Sequence, residues 1–266
     1  HRDLHSFPTR RSSDLLKGSI ADLWSDTLAN GKRGTGEAAW LFGSDDANAA
    51  AAGALLFGEA RLLAFPIRSA RGSYAWISSP LILNRAVRDG VLTPQDVGAL
   101  NAPTDDRALF DGGNGSPINL NGYVVLEDYR FQQAGALPNN LAGALAAKLP
   151  NDPVWSGIAS RLAILSDGMM SFFTRNACEV AQHVKIDDQT GTAADGLLFN
   201  QENVPSECLF YAVIHATTSR LREGSHTGRS AQEAMEQLAN RLSNASAFQV
   251  GGDASTGLGY CSIHLG

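Results

Sequence analysis

The chain of 266 residues has little cysteine: Cys178, Cys208 and Cys261 are odd in number and widely scattered. Such a set builds no disulfide framework and fits a reducing cytoplasm. No two cysteines have zinc-ligand spacing, and His183, His215, His226 and His264 are equally dispersed. No metal site made of His and Cys is therefore read from the sequence. His183, His215 and His264 stand beside apolar residues in strand-like stretches, the setting of half-exposed structural histidines rather than of general acids or bases. No apolar run approaches the length of a membrane span. Basic charge is also in deficit: 21 Lys and Arg face 27 Asp and Glu, a formal charge of −6. That balance excludes a protein coated with lysine for general nucleic-acid binding. Any RNA contact is confined to a local groove.

What the chain does have is a glycine-dense stretch, Gly251-Gly252-Asp253-Ala254-Ser255-Thr256-Gly257-Leu258-Gly259. Glycines leave main-chain N–H groups bare, permit positive φ and let another backbone approach closely. Two readings fit: a bulged hairpin loop, and a concavity that binds anions such as phosphate. Phe248-Gln249-Val250 precedes it and Tyr260-Cys261-Ser262-Ile263 follows, so it joins strand to strand. A dinucleotide fingerprint or P-loop needs a helix after the loop, and a P-loop also ends in Gly-Lys-Ser/Thr. Neither is present.

The first residues differ in kind from the rest. His5 to Leu15 reads as a translated sequencing-library adapter, so residues 1–15 are set aside from fold reasoning. The native sequence is expected to resume near Leu16 and to form one domain over 16–266, with its own N-terminus lying outside this chain. A basic targeting arm is excluded because no apolar segment or small-residue cleavage site follows.

Periodicity predicts a helix from Leu16 to Leu28, with Leu16, Ile20, Leu23, Trp24 and Leu28 on one stripe. Leu55 to Phe65 reads as one long strand stopped by Pro66, Ile67 to Gly72 as a turn, and Ser73 to Ser78 as the next strand. Ser79 and Pro80 open a helix through Val87, closed by Gly90. Residues 93–120, rich in Pro and Gly, read as an irregular insertion. Tyr123 to Phe131 is a strand, Leu141 to Leu149 a short helix and Arg161 to Leu165 a strand. Asp167 caps a helix through Asn176. Val180 to Ile186 alternates as a half-exposed strand, turns at Asp187 to Thr192 and returns through Gly196 to Phe199. Leu209 to Ala216 is another strand. Ser230 and Glu233 form a capping box for the last helix, whose stripe is Ala231, Ala234, Met235, Leu238 and Leu242. The order is that of an α+β fold with an antiparallel sheet.

Four segments, in order, resemble one family. They are Leu16-Lys17-Gly18-Ser19-Ile20-Ala21-Asp22; Gly53 to Ser69 with Gly72, Ala75-Trp76 and Pro80; Phe172, Arg175, Glu179, Ile186-Asp187, Thr190, Gly196, Leu198-Phe199, Glu202 and Val204-Pro205; and Thr256-Gly257-Leu258-Gly259. Together they are similar to the RAMP-type backbone subunits of type III-B (Cmr) CRISPR effectors. The resemblance implies a ferredoxin-like, RRM-related core with inserted segments and a protruding thumb hairpin, here residues 184–200. It implies copies stacked head to tail along a guide RNA, with complementary target RNA and other effector subunits as partners. Base pairing then reads sequence, and the protein needs only backbone and shape contacts.

The resemblance also implies roles for particular residues. Lys17 and Gly18, expected at a helix start, would meet a guide phosphate. Gly251, Gly252, Thr256, Gly257 and Gly259 would carry backbone contacts to RNA. Arg68 and Arg71 in a turn, and Arg175 and Lys185 near the thumb base, would reach phosphates, against the alternative of solvated arginines and lysines. Asp187 to Phe199 would project as the thumb. Family members cleave target RNA with a divalent metal, Mg or Mn, using an aspartate upstream of Leu-Lys-Gly. In this chain that place holds the adapter-like segment, Asp3 and Asp14 match nothing, and no catalytic or metal residue is assigned. On the residues alone, a non-cleaving sister subunit and an α+β enzyme with a small phosphate ligand stay open.

Overall fold

The computed structural model describes residues 9–28, 31–46, 50–186, 193–245, 248–252 and 254–266. The chain runs through α1 (Thr9–Asp22), α2 (Glu37–Phe42), β1 (Leu55–Phe57), β2 (Arg61–Ser69), β3 (Ser73–Ser78), α3 (Pro80–Arg88), α4 (Pro94–Val97), β4 (Arg107–Phe110), β5 (Tyr123–Leu126) and β6 (Tyr129–Gly135). It continues through α5 (Leu141–Ala146), α6 (Ile158–Arg161), β7 (Leu162–Ile164), α7 (Asp167–Asn176), β8 (Glu179–Ile186), β9 (Ala193–Asn203), β10 (Leu209–Tyr211), β11 (Ile214–Ala216), α8 (Ala231–Ser243), β12 (Phe248–Gln249) and β13 (Tyr260–Cys261). Among the described residues no helix is long and apolar enough to cross a membrane.

The chain forms two compact units. One is the chain up to Arg61 together with Ala212–Gly266, and the other is Leu62–Tyr211. In the first, α1, α2 and α8 pack with two antiparallel ribbons, β1–β11 and β12–β13. The helix expected through Leu28 stops at Asp22 and a 3-10 turn, Ser25–Thr27, follows, yet the apolar set stays together: Ile20 and Trp24 are buried, and Leu16, Leu23 and Leu28 lie against the same core. Trp24 ties two segments, since its Nε1 donates to Glu37 Oε1 at 2.7 Å and its ring meets Phe42 edge-on at 5.0 Å. The capping box of α8 forms as predicted: Ser230 Oγ accepts from Glu233 N–H, and the Glu233 carboxylate accepts from Ser230 N–H.

The second unit is built on a closed sheet. Strands follow the order β2-β3-β7-β4-β6-β5, β2 meets β5 again through Ser69 and Leu126, and β10 adds at the other side of β2. The period-2 alternation of a strand sorts its side chains between two cores. On β3, Ala75 and Ile77 join Phe110, Val124 and Phe131 with Phe173 of α7, whereas Trp76 joins Leu83, Leu145, Trp155 and Ile158 of the covering helices. Trp76 Nε1 is satisfied by the Glu207 carbonyl at 2.9 Å, and Trp155 Nε1 by the Leu145 carbonyl at 2.7 Å. β8 and β9 form a separate antiparallel ribbon, from Glu179↔Asn203 to Ile186↔Ala193.

The α+β class holds, but the sheet is mixed rather than antiparallel. β3 pairs with β7, and β4 with β6, in parallel. Parallel pairing needs a long crossover, and the helices between β3 and β7 supply one. The span read as irregular, 93–120, contributes β4 to the closed sheet, a strand too short to outweigh its Pro and Gly surroundings. The long strand expected from Leu55 breaks at Gly58, which bonds to the Val213 carbonyl and leaves no room there for a Cβ. Pro66 lies inside β2 opposite Trp76. Tyr123 to Phe131 is a hairpin turning at Glu127, φ 48°, and Leu209 to Ala216 is two strands. The cap of α7 is Ser166, whose Oγ accepts from Met169 N–H, one residue before the expected Asp167.

Candidate nucleic-acid interface

The glycine loop joins β12 to β13, strand to strand as read from its flanks. Its neck is closed by Val250 N–H donating to the Gly259 carbonyl at 2.8 Å. Gly251, Gly257 and Gly259 have φ of 98°, 83° and 76°, the left-handed region where glycine is strain-free. The glycines nevertheless differ in use. A Cβ at Gly259 would sit 2.1 Å from the Val250 carbonyl oxygen, so this glycine is demanded by the loop itself. Around Gly251, Gly252 and Gly257 no described residue beyond the chain neighbours lies within 4 Å of a Cβ position, so on the described side their faces are open to a ligand. Thr256 belongs to a short 3-10 turn, Ala254–Thr256. A side chain that the sequence showed only as part of the loop's flank organises the interior: Gln249 Nε2 donates to the carbonyls of Gly251 at 3.0 Å, Gly252 at 3.0 Å and Leu258 at 3.2 Å.

Lys17 and Gly18 lie in the same unit, on α1, which packs against β12. They are not at a helix start. α1 begins at Thr9, so both sit in its interior, where their N–H groups serve the helix rather than a ligand. What remains is a half-exposed ammonium beside a glycine with open space around it.

Arg68, Arg71, Arg175 and Lys185 lie in the other unit. Arg68 lies inside β2, opposite Tyr74, rather than in the turn where the sequence placed it, and pairs with Glu127 across the sheet closure, its Nη2 2.6 Å from Oε2. At 78% side-chain exposure that pair is easily exchanged for an anionic ligand. Arg71, in the β2–β3 turn, donates to the Asn119 carbonyl and so braces the turn. Arg175 is exposed in the last turn of α7 and pairs with no described acidic group. Lys185 is in β8. The turn proposed between the ribbon's arms, Asp187 to Thr192, lies outside the described residues.

The remaining reactive groups are quiet. All three cysteines are free; burial raises the thiols of Cys178 and Cys208, which suppresses thiolate chemistry there, while Cys261 is exposed. His226 stacks on Trp40 at 5.4 Å, and His215 pairs with Leu56 in the β1–β11 ribbon. Among the described residues no three His, Cys, Asp or Glu converge to hold a metal ion. They do not fit the divalent metal that the resemblance implies.

A sequence profile of the RAMP superfamily matches residues 13–262. The CRISPR system Cmr endoribonuclease Cmr4 of Pyrococcus furiosus is 28% identical over 218 residues, spanning 80% of this chain and 70% of that protein. The crystal structure of oligomeric Cmr4 from Pyrococcus furiosus superposes with a TM-score of 0.65 at 21% identity, over 93% of this chain and 82% of that one. A chain of the type III-B Cmr-beta complex bound to cognate target RNA superposes at 0.62 with 17% identity, over 93% and 81%. At such identities the superpositions speak for the fold, while the profile runs through both compact units and nearly the whole sequence. The chain belongs to the RAMP superfamily.

Proposed function

We propose that this protein is a guide-RNA-binding backbone subunit of a type III-B CRISPR ribonucleoprotein. Residues 16–266 act as one RAMP module in this reading, a view supported by the single profile that spans both units. Its partners are guide RNA, complementary target RNA, further copies of itself and other effector subunits. The observation that carries the proposal is the glycine loop. It joins two strands, keeps open faces at Gly251, Gly252 and Gly257, and stands in a chain similar to Cmr4 over most of its length. Open main-chain amides suit a phosphodiester, and they read no base, as a guide-binding subunit requires. Thr256 and Gly259 complete the loop's contribution. Lys17 with Gly18, and Arg68, Arg71, Arg175 and Lys185, add charged contacts at separate places along the strand.

The β8–β9 ribbon is the thumb in this account, a reading supported by its independence from the closed sheet. The ferredoxin-like, RRM-related ancestry of the core is carried by family membership. Cleavage of target RNA with Mg or Mn belongs to the same reading, with no part in it for any described residue.

The test is equilibrium binding of labelled single-stranded RNA of arbitrary sequence, across a salt series, with and without unlabelled mononucleotide. The expected result is cooperative, salt-sensitive binding indifferent to sequence and to mononucleotide. Absence of binding, or displacement by mononucleotide, would overturn the proposal and point to an enzyme with a small phosphate ligand.

A further inference from the structure

One side chain spans the glycine loop. Gly251 and Gly252 belong to its outgoing arm and Leu258 to its returning arm, and Gln249 Nε2 reaches the carbonyl oxygens of all three within 3.2 Å. Carbonyls only accept, so the group facing them must be the NH2 of the amide, whose two protons are shared among three acceptors. A carboxylate here would set acceptor against acceptor, and an aliphatic side chain would leave all three carbonyls without this donor. Gly259 protects the arrangement, since a Cβ there would lie 3.0 Å from Gln249 Nε2 as well as against Val250.

Direction follows from peptide geometry. In a planar trans peptide, C=O and the next N–H point opposite ways. With the Gly251 and Leu258 carbonyls turned in toward Gln249, the N–H groups of Gly252 and Gly259 turn outward. Neither donates to a described group. The loop therefore hides acceptors, which would repel a phosphate, and displays donors, which would bind one.

We propose that Gln249 is the positioning residue of this loop. It fixes the main-chain donors that receive a phosphodiester of single-stranded RNA, without touching the RNA itself. The inference rests on the RNA-binding reading above.

The experiment measures RNA affinity of the full chain and of Gln249→Leu across a salt series, with thermal unfolding of each as the control for folding. Peptide amides carry no charge, so their loss releases no fewer counterions. Gln249→Leu is expected to weaken binding about tenfold to a hundredfold, the loss of one or two charge-assisted hydrogen bonds. The slope of log affinity against log salt should stay unchanged. By contrast, Lys17→Ala should lower that slope by about 0.7, the single-strand value per phosphate contact. Wild-type affinity in a folded Gln249→Leu would overturn the inference, and so would a reduced slope. Should Gln249→Leu fail to fold, Gly252→Ala serves, because φ there is ordinary and a Cβ meets none of the described residues beyond its chain neighbours within 4 Å. It should fold and lose affinity by blocking the donor rim; wild-type affinity would again overturn the inference. A wild-type chain that binds no RNA would instead sink the functional reading itself.

Discussion

Gly18 shows how a single residue can separate folding from function. It lies within α1, where glycine costs about 0.5–1 kcal/mol relative to alanine, and no described residue lies within 4 Å of a Cβ there apart from its own helix backbone. Gly18→Ala is therefore expected to raise the thermal midpoint. If an RNA backbone passes close to α1, the same change lowers RNA affinity, and a more stable protein that binds less well is the predicted outcome. Stabilisation with undiminished affinity would remove Gly18 from the interface and leave Lys17 acting through its charge alone. At this scale the sequence was informative about which residues are present and poor about what they face. The strand-to-strand character of the glycine loop could be read from its apolar flanks. The task of Gln249 could not, because it exists only once both arms of the loop have returned to it.

Elements defined by near neighbours in sequence were legible, and those defined by distant partners were not. The capping box of α8 is written in Ser230 and Glu233, three residues apart, and its stripe of Ala234, Leu238 and Leu242 is buried as expected. The box makes a pH prediction. Hydrogen bonds from Ser230 N–H first, then from Arg229 and the Ser230 hydroxyl, lower the Glu233 carboxyl from 4.5 to about 2. A carboxyl depressed by folding stabilises above its unfolded value and loses that contribution as pH falls toward its folded value. The urea midpoint of the wild type should thus fall more steeply between pH 4.5 and pH 2 than that of Glu233→Gln, and the two should converge below that window. Parallel curves would mean that the box is not formed. β4, in contrast, has only Arg107 to Phe110 to announce it, and its existence depends on β6 and β7 flanking it. The break at Gly58 likewise depends on Val213, far along the chain. Strand ends and parallel pairings are set by such partners, which periodicity cannot see.

For the whole molecule the acidic balance of −6 and the proposed RNA contacts are compatible only if binding is local. Amides of the glycine loop add no charge, and a few Lys and Arg add the salt-dependent part. Successive copies along one RNA require a heterologous contact, the same two unlike surfaces meeting at every step, which extends without closing. The most direct measurement is the mass of complexes formed on single-stranded RNAs of increasing length, by sedimentation at fixed salt. The account predicts that copies bound rise in steps with RNA length and that binding is cooperative within each length. A single copy per RNA whatever its length, or no complex at all, would contradict it.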